Sequence, residues 1–276
     1  MRSIANQNAE EMGGRGSVLA RQKRDHIRLD RLLHRLDAAA LDEQAPVLLD
    51  IYRLVFPHAF AEEAVLWPVI RRVLPDGHAL TLQVELEHQQ INALVARLET
   101  LPPASAEYRQ ILDRVVELLR EDVRDEEDAL LPRLQTRLSR AQLRLLGVAW
   151  EMVRLIAPTR AHPIVARRPP GNVLSALPLA VLDRLRDMVD ARLHARPTAL
   201  AGTLGRASSG LARAARAVER LPGMRSGEDP ATRVPRGGRS GGGRNGWIAA
   251  ATLLAVAGAS AGLMGAARRR RAVALG

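Results

Sequence analysis

The sequence predicts an all-α fold: an antiparallel up-down-up-down four-helix bundle over residues 18–135, with extra C-terminal helices and a transmembrane helix. Three observations predict it. Aromatic residues make up only 3% of the chain, while Ala, Leu, Val and Arg dominate, so strand propensity is low and helix propensity high. Four amphipathic runs of ~25 residues follow one another with short polar breaks, the spacing of antiparallel neighbours in a bundle. Near the end, 21 uncharged residues run from Trp247 to Ala267. At ~1.5 Å per residue that is long enough to cross a ~30 Å hydrocarbon layer.

The elements follow in order. Residues 1–17 are a polar N-terminal arm. The first helix begins after Ser17, a good N-cap, and runs to about Ala40. The second runs from about Ala45 to Val73 and is closed by Leu74-Pro75-Asp76-Gly77. The third spans about His78 to Leu101 and stops at Pro102-Pro103; the fourth runs from Ser105 to about Leu138. A fifth apolar run, Ala141 to Ile156, is expected to pack on an end or side, completing a domain over 18–157. Residues 158–246 read as a Pro/Gly/Arg-rich basic linker. It is expected to be extended over 157–174, helical over Ser175–Leu193 and around Leu211–Leu221, and disordered over 223–246. Residues 247–267 are the predicted span, and 268–276 a basic tail opened by Arg268-Arg269-Arg270-Arg271.

Charge is divided along the chain. Residues 158–276 hold 20 Arg against 6 acidic residues, whereas residues 1–157 hold 21 basic against 24 acidic. A globular part with a basic tail is the expected reading. Beside an apolar span, the Arg-rich stretch 206–244 suits anionic lipid better than nucleic acid, because it lacks aromatics for base stacking. The N-terminus has no apolar core of a secretory signal, so the bundle is expected in the cytoplasm, membrane-associated if 247–267 inserts and soluble if it does not. The chain has no Cys, which excludes disulfides, zinc fingers and thiolate-held clusters.

Candidate chemistry lies inside the bundle. At about 100° per residue, His26, His58 and His88 each fall within the apolar stripe of their helix. His34, His78, His162 and His194 do not, and are not expected to be ligands. Glu62 follows His58 by one helical turn, and Glu126 follows Asp122 in the same way, so three carboxylates are directed inward. A buried carboxylate costs several kcal/mol unless it is paired or holds a metal. Glu63 and Glu127 lie about 140° from the His58 and Asp122 directions and are expected in solvent. His26, His58, Glu62, His88, Asp122 and Glu126 are therefore the candidate metal ligands. Imidazole with carboxylate suits iron, and manganese or zinc after it.

An internal repeat supports the constellation. His58-Ala-Phe-Ala-Glu62-Glu63-Ala-Val-Leu66-Trp67-Pro68 aligns with Asp122-Val-Arg-Asp-Glu126-Glu127-Asp-Ala-Leu130-Leu131-Pro132, and Asp25-His26 echoes Glu87-His88. Two copies of one helical hairpin bring symmetric ligands to one point, as a carboxylate-bridged two-metal site requires.

These motifs, over roughly residues 18–135, resemble the hemerythrin family, and more narrowly its bacterial HHE cation-binding branch. The resemblance implies two non-haem iron ions bridged by Glu62 and Glu126, with the His residues as terminal ligands. It also implies a protein that binds dioxygen or responds to oxygen, nitric oxide or peroxide; a homodimer is allowed for. One departure matters: Asp122 stands where the family usually places a His. A more anionic donor set favours ferric iron, hence a peroxidase or ferroxidase-type enzyme as the alternative. If Asp122 is too short to reach, the second metal is weak or absent. A helical interaction module with a degenerate metal site is the third reading.

Overall fold

The computed structural model describes residues 1–195 and 200–233, and among them every regular element is a helix. Helix α1 (Val18–Ala38) starts at Ser17, whose Oγ accepts the Ala20 N–H and so takes up a donor that a helix N-terminus leaves free. Helix α2 (Gln44–Ala61) continues through a π turn, Glu62–Leu66, into α3 (Trp67–Val73). Helix α4 spans Gly77–Leu98. Helix α5 (Ala106–Asp125), capped by Ser105 on the Tyr108 N–H, passes through a second π turn, Glu126–Leu130, into α6 (Leu131–Gln135). Each joined pair is one rod, and short connections lay α1, α2–α3, α4 and α5–α6 side by side as the bundle.

Helix α7 (Arg140–Ile156) opens with a capping box between Ser139 and Gln142 and packs along α1 and α2. Gly147 permits that approach: a Cβ there would collide with the backbone of Gly16 and Val18. Helices α8 (Gly171–Ala195) and α9 (Ala201–Glu219) pack on each other, and α8 also meets α2. Seven helical rods are thus present among the described residues.

The bundle interior is layered. One apolar cluster is built from residues such as Leu33, Ile51, Val95 and Leu118; a second joins Leu19, Leu66, Trp67, Leu131, Leu134 and Trp150. Between them along the rods lie buried His26, Glu62, His88 and Glu126, a polar layer inside an otherwise apolar core.

Two expectations about the chain beyond α7 are corrected. The stretch 157–170 is irregular but packed, not an open linker: Ala157, His162, Val165, Ala166 and Arg167 are buried. Arg160 finds acids on α8, bonding Asp187 and Asp190, while Arg168 pairs with Glu85 on α4. Residues 223–233, expected to be disordered, contain two 3-10 turns, Pro222–Arg225 and Pro230–Thr232. They are held by the Ala166 N–H on Met224 O, the Gly171 N–H on Ser226 O, and an Arg168–Asp229 ion pair at 2.7 Å. Backbone hydrogen bonds and buried charge pairs supply the ordering that apolar content does not. Among the described residues no helix is long and apolar enough to cross a membrane. The predicted span 247–267 and the tail 268–276 lie outside the described residues.

Candidate metal centre

Two features of the sequence build the site. The first is proline. Pro68 and Pro132 carry no N–H, and in a regular α-helix their rings would meet the carbonyls of Ala64 and Asp128. The chain widens just ahead of each: the Trp67 N–H bonds to Glu62 O, and the Leu131 N–H to Glu126 O. Both π turns therefore open at the inward-facing glutamates, a placement common at functional sites. The second is the one-turn spacing that aims His58 with Glu62 and Asp122 with Glu126.

All six residues singled out from the sequence meet in the polar layer. His26 Nε2 lies 3.3 Å from Glu126 Oε2. His58 Nε2 lies 3.0 Å from Glu62 Oε1, while His88 Nε2 lies 3.8 Å from Glu62 Oε2 and 3.6 Å from Asp122 Oδ1. Two groups of three have donor atoms within 4.8 Å of one another: His26, His58 and Glu126, then Glu62, His88 and Glu126. Glu126 is common to both. Asp122 falls outside these two groups and borders the second.

Every ring turns its other nitrogen outward onto a carboxylate. The Nδ1–H of His26 donates to Glu127 at 2.9 Å, that of His58 to Asp25 at 3.2 Å, and that of His88 to Glu63 at 3.0 Å. Such pairs fix ring orientation and leave Nε2 as the inward-facing nitrogen. Here the structure corrects the expectation that Glu63 and Glu127 are solvated, since Glu63 is 1% exposed and Glu127 is largely covered. Each sits inside a π turn, where a residue advances by less than the ~100° of an α-helix and so lags toward the buried face. The signal available in the sequence was the doubled Glu-Glu in both copies of the repeat. Trp150 was also missed as part of the site: it meets the His58 ring edge-on at 5.3 Å.

Electrostatics follow from the crowding. Burial opposes a charged His26 ring, but Glu126 and Glu127 outweigh it and lift its pKa to about 9. Burial acts likewise on His58, and Glu62 followed by Asp25 raises it to about 10. Glu126 is pushed up to about 8 by burial, with repulsion from Glu62 and Asp122 adding to it. Glu62 is lowered, because His58 overcomes the effect of burial.

The donor set fits a metal. Both oxygens of Glu62, Oε1 of Glu126, Oδ1 of Asp122 and Nε2 of His88 are buried without a hydrogen-bond partner. A purely polar network would leave no such orphans. Cations held among them would be met by imidazole nitrogen and carboxylate oxygen, the donors of non-haem iron, manganese and zinc sites.

Fold and donors together define a class: helical bundles that hold cations between imidazoles and carboxylates projecting from facing helices. Residues 17–134 match the family model described as the Hemerythrin HHE cation binding domain, and this part of the chain is similar to that domain. An uncharacterized hemerythrin-like protein of Schizosaccharomyces pombe is 25% identical over 134 residues. The alignment covers 48% of this chain and 66% of that relative, so the chain spans just under two thirds of the relative's length. No solved structure matches the chain.

Proposed function

We propose that the bundle holds two non-haem iron ions and binds or responds to dioxygen, nitric oxide or peroxide, with residues 247–267 tethering it to a membrane. The observation that carries this reading is the pair of three-residue groups sharing Glu126. Glu62 adds to it, directing one oxygen toward His58 and the other toward His88. Two carboxylates that span two sets of imidazoles suit a bridged pair of ions better than a single one.

Bound iron would supply electron transfer to a small ligand. The chain's own residues set the conditions for it. His26, His58 and His88 present Nε2, while Asp25, Glu63 and Glu127 hold the rings in place. A cavity of about 30 Å³ adjoins the three rings, with Leu29, Ile91 and Leu119 among its walls. It has room for a water or a diatomic molecule.

Asp122 favours a second reading, a peroxidase or ferroxidase. Its orphaned oxygen adds negative charge beside His88, and a more anionic set of donors stabilises ferric iron. One experiment separates the readings: iron content and visible spectrum through anaerobic reduction and re-oxygenation, with His58→Ala as control. A reversible oxygen-dependent band supports binding, and turnover of added peroxide supports the enzyme. Absence of iron from the purified and reconstituted protein refutes both. Membrane fractionation with and without residues 247–276 tests the tether.

A further inference from the structure

Two arginines from beyond the family-matched residues stand behind the imidazoles. Arg154, on α7, ion-pairs with Asp25, the carboxylate that receives the His58 Nδ1–H. Its guanidinium also lies over the Trp150 ring at 4.8 Å, and Trp150 abuts His58. Arg167 lies in the packed stretch between α7 and α8. Its Nη1 is 3.8 Å from Glu63 Oε1, the atom that accepts from His88 Nδ1. Arg167 is 8% exposed, and its Nη2 donates to the carbonyls of His162 and Val165, so the guanidinium is fixed in place. The third pairing, His26 with Glu127, has no cation behind it among the described residues.

We propose that Arg154 and Arg167 are positioning residues of the metal centre, which makes α7 and the 157–170 stretch part of the site. A carboxylate held between an Nδ1–H and a guanidinium is restrained at both ends, so the imidazole beyond it cannot turn. Removing the guanidinium leaves a buried carboxylate with reduced charge compensation and freedom to rotate. Partners that orient a ligand in this way are typically worth about 10–100-fold in metal affinity. The two act on different halves of the site. Arg154 bears on His58, hence on the group with His26 and Glu126; Arg167 bears on His88, hence on the group with Glu62 and Glu126.

The inference rests on the two-iron reading and is tested on the full chain. Metal-free protein is titrated with ferrous iron under anaerobic conditions against a chromogenic chelator. The proteins compared are wild type, Arg154→Met, Arg167→Met, the double variant and both Lys replacements. Wild type is expected to take two equivalents. Each Met variant is expected to weaken one of them by about 10–100-fold and the double variant both, with partial recovery by Lys. Far-UV circular dichroism of the metal-free variants is expected to stay unchanged. Two equivalents at wild-type affinity in both Met variants overturn the proposal. So does equal weakening of both equivalents in each variant, with lost helix content and no recovery by Lys, since that marks a structural role alone. Wild type that takes up no iron refutes the two-iron reading instead, before any variant is compared.

Discussion

His162→Gln should flatten the pH dependence of stability. The ring of His162 is buried between Asp183 Oδ2 on α8, at 3.0 Å from Nε2, and Glu219 Oε1 on α9, at 2.8 Å from Nδ1. Arg167 touches the same residue, donating to its carbonyl. Burial disfavours the charged ring, yet Asp183 and then Glu219 raise its pKa from 6.5 to about 9. The folded value exceeds the unfolded one. Charged His162 therefore stabilises the fold fully below about pH 6.5, and the contribution is lost as pH rises through about 9. A gap of that size corresponds to about 3 kcal/mol, or roughly 6–12 °C in melting temperature for a chain of this length. Thermal melts of metal-free protein between pH 6 and 9.5 measure it. The imidazoles of the metal centre titrate in wild type and variant alike, so the difference between the two curves isolates His162. Parallel curves would refute the reasoning.

Three further outcomes are expected. Glu126→Ala removes the carboxylate shared by both groups, so metal analysis should find both equivalents lost, whereas Asp122→Asn should keep at least one. Gly147→Ala forces a Cβ against the backbone of Gly16 and Val18 and should cost about 1–3 kcal/mol in denaturant unfolding. Ser139→Ala removes the capping box of α7 and should cost about 1 kcal/mol by the same measurement, with iron uptake unchanged.

The bundle was legible because its signals are local. Ser17 is a good N-cap followed by helical periodicity and caps the helix expected there, and the helix expected from Ser105 is capped by that residue. The inward residues were legible for the same reason, since angular register on a regular helix predicts which side chains share a face. Glu63 and Glu127 escaped because register assumes a constant advance per residue, and each lies where the helix widens. The packed 157–170 stretch escaped for a different reason. Arg160 and His162 read as tail residues until Asp183, Asp187, Asp190 and Glu219 are brought to them across the fold, and no periodicity announces such partners.

The two π turns also act as phase shifters. An extra residue at Glu62–Leu66 rotates everything after it, and only in that phase does Trp67 stack on His88, at 6.3 Å, and Arg71 meet Thr81 and Glu85. Straightening that turn into a plain α-helix with every residue kept would turn α3 by about 100° and carry Trp67 and Ile70 off the buried face, whereas deleting one residue would leave α3 nearly in phase. The metal-facing glutamate and the downstream proline are thus two ends of one mechanical element: the segment that presents the ligand also sets the rotation of the helix that covers it.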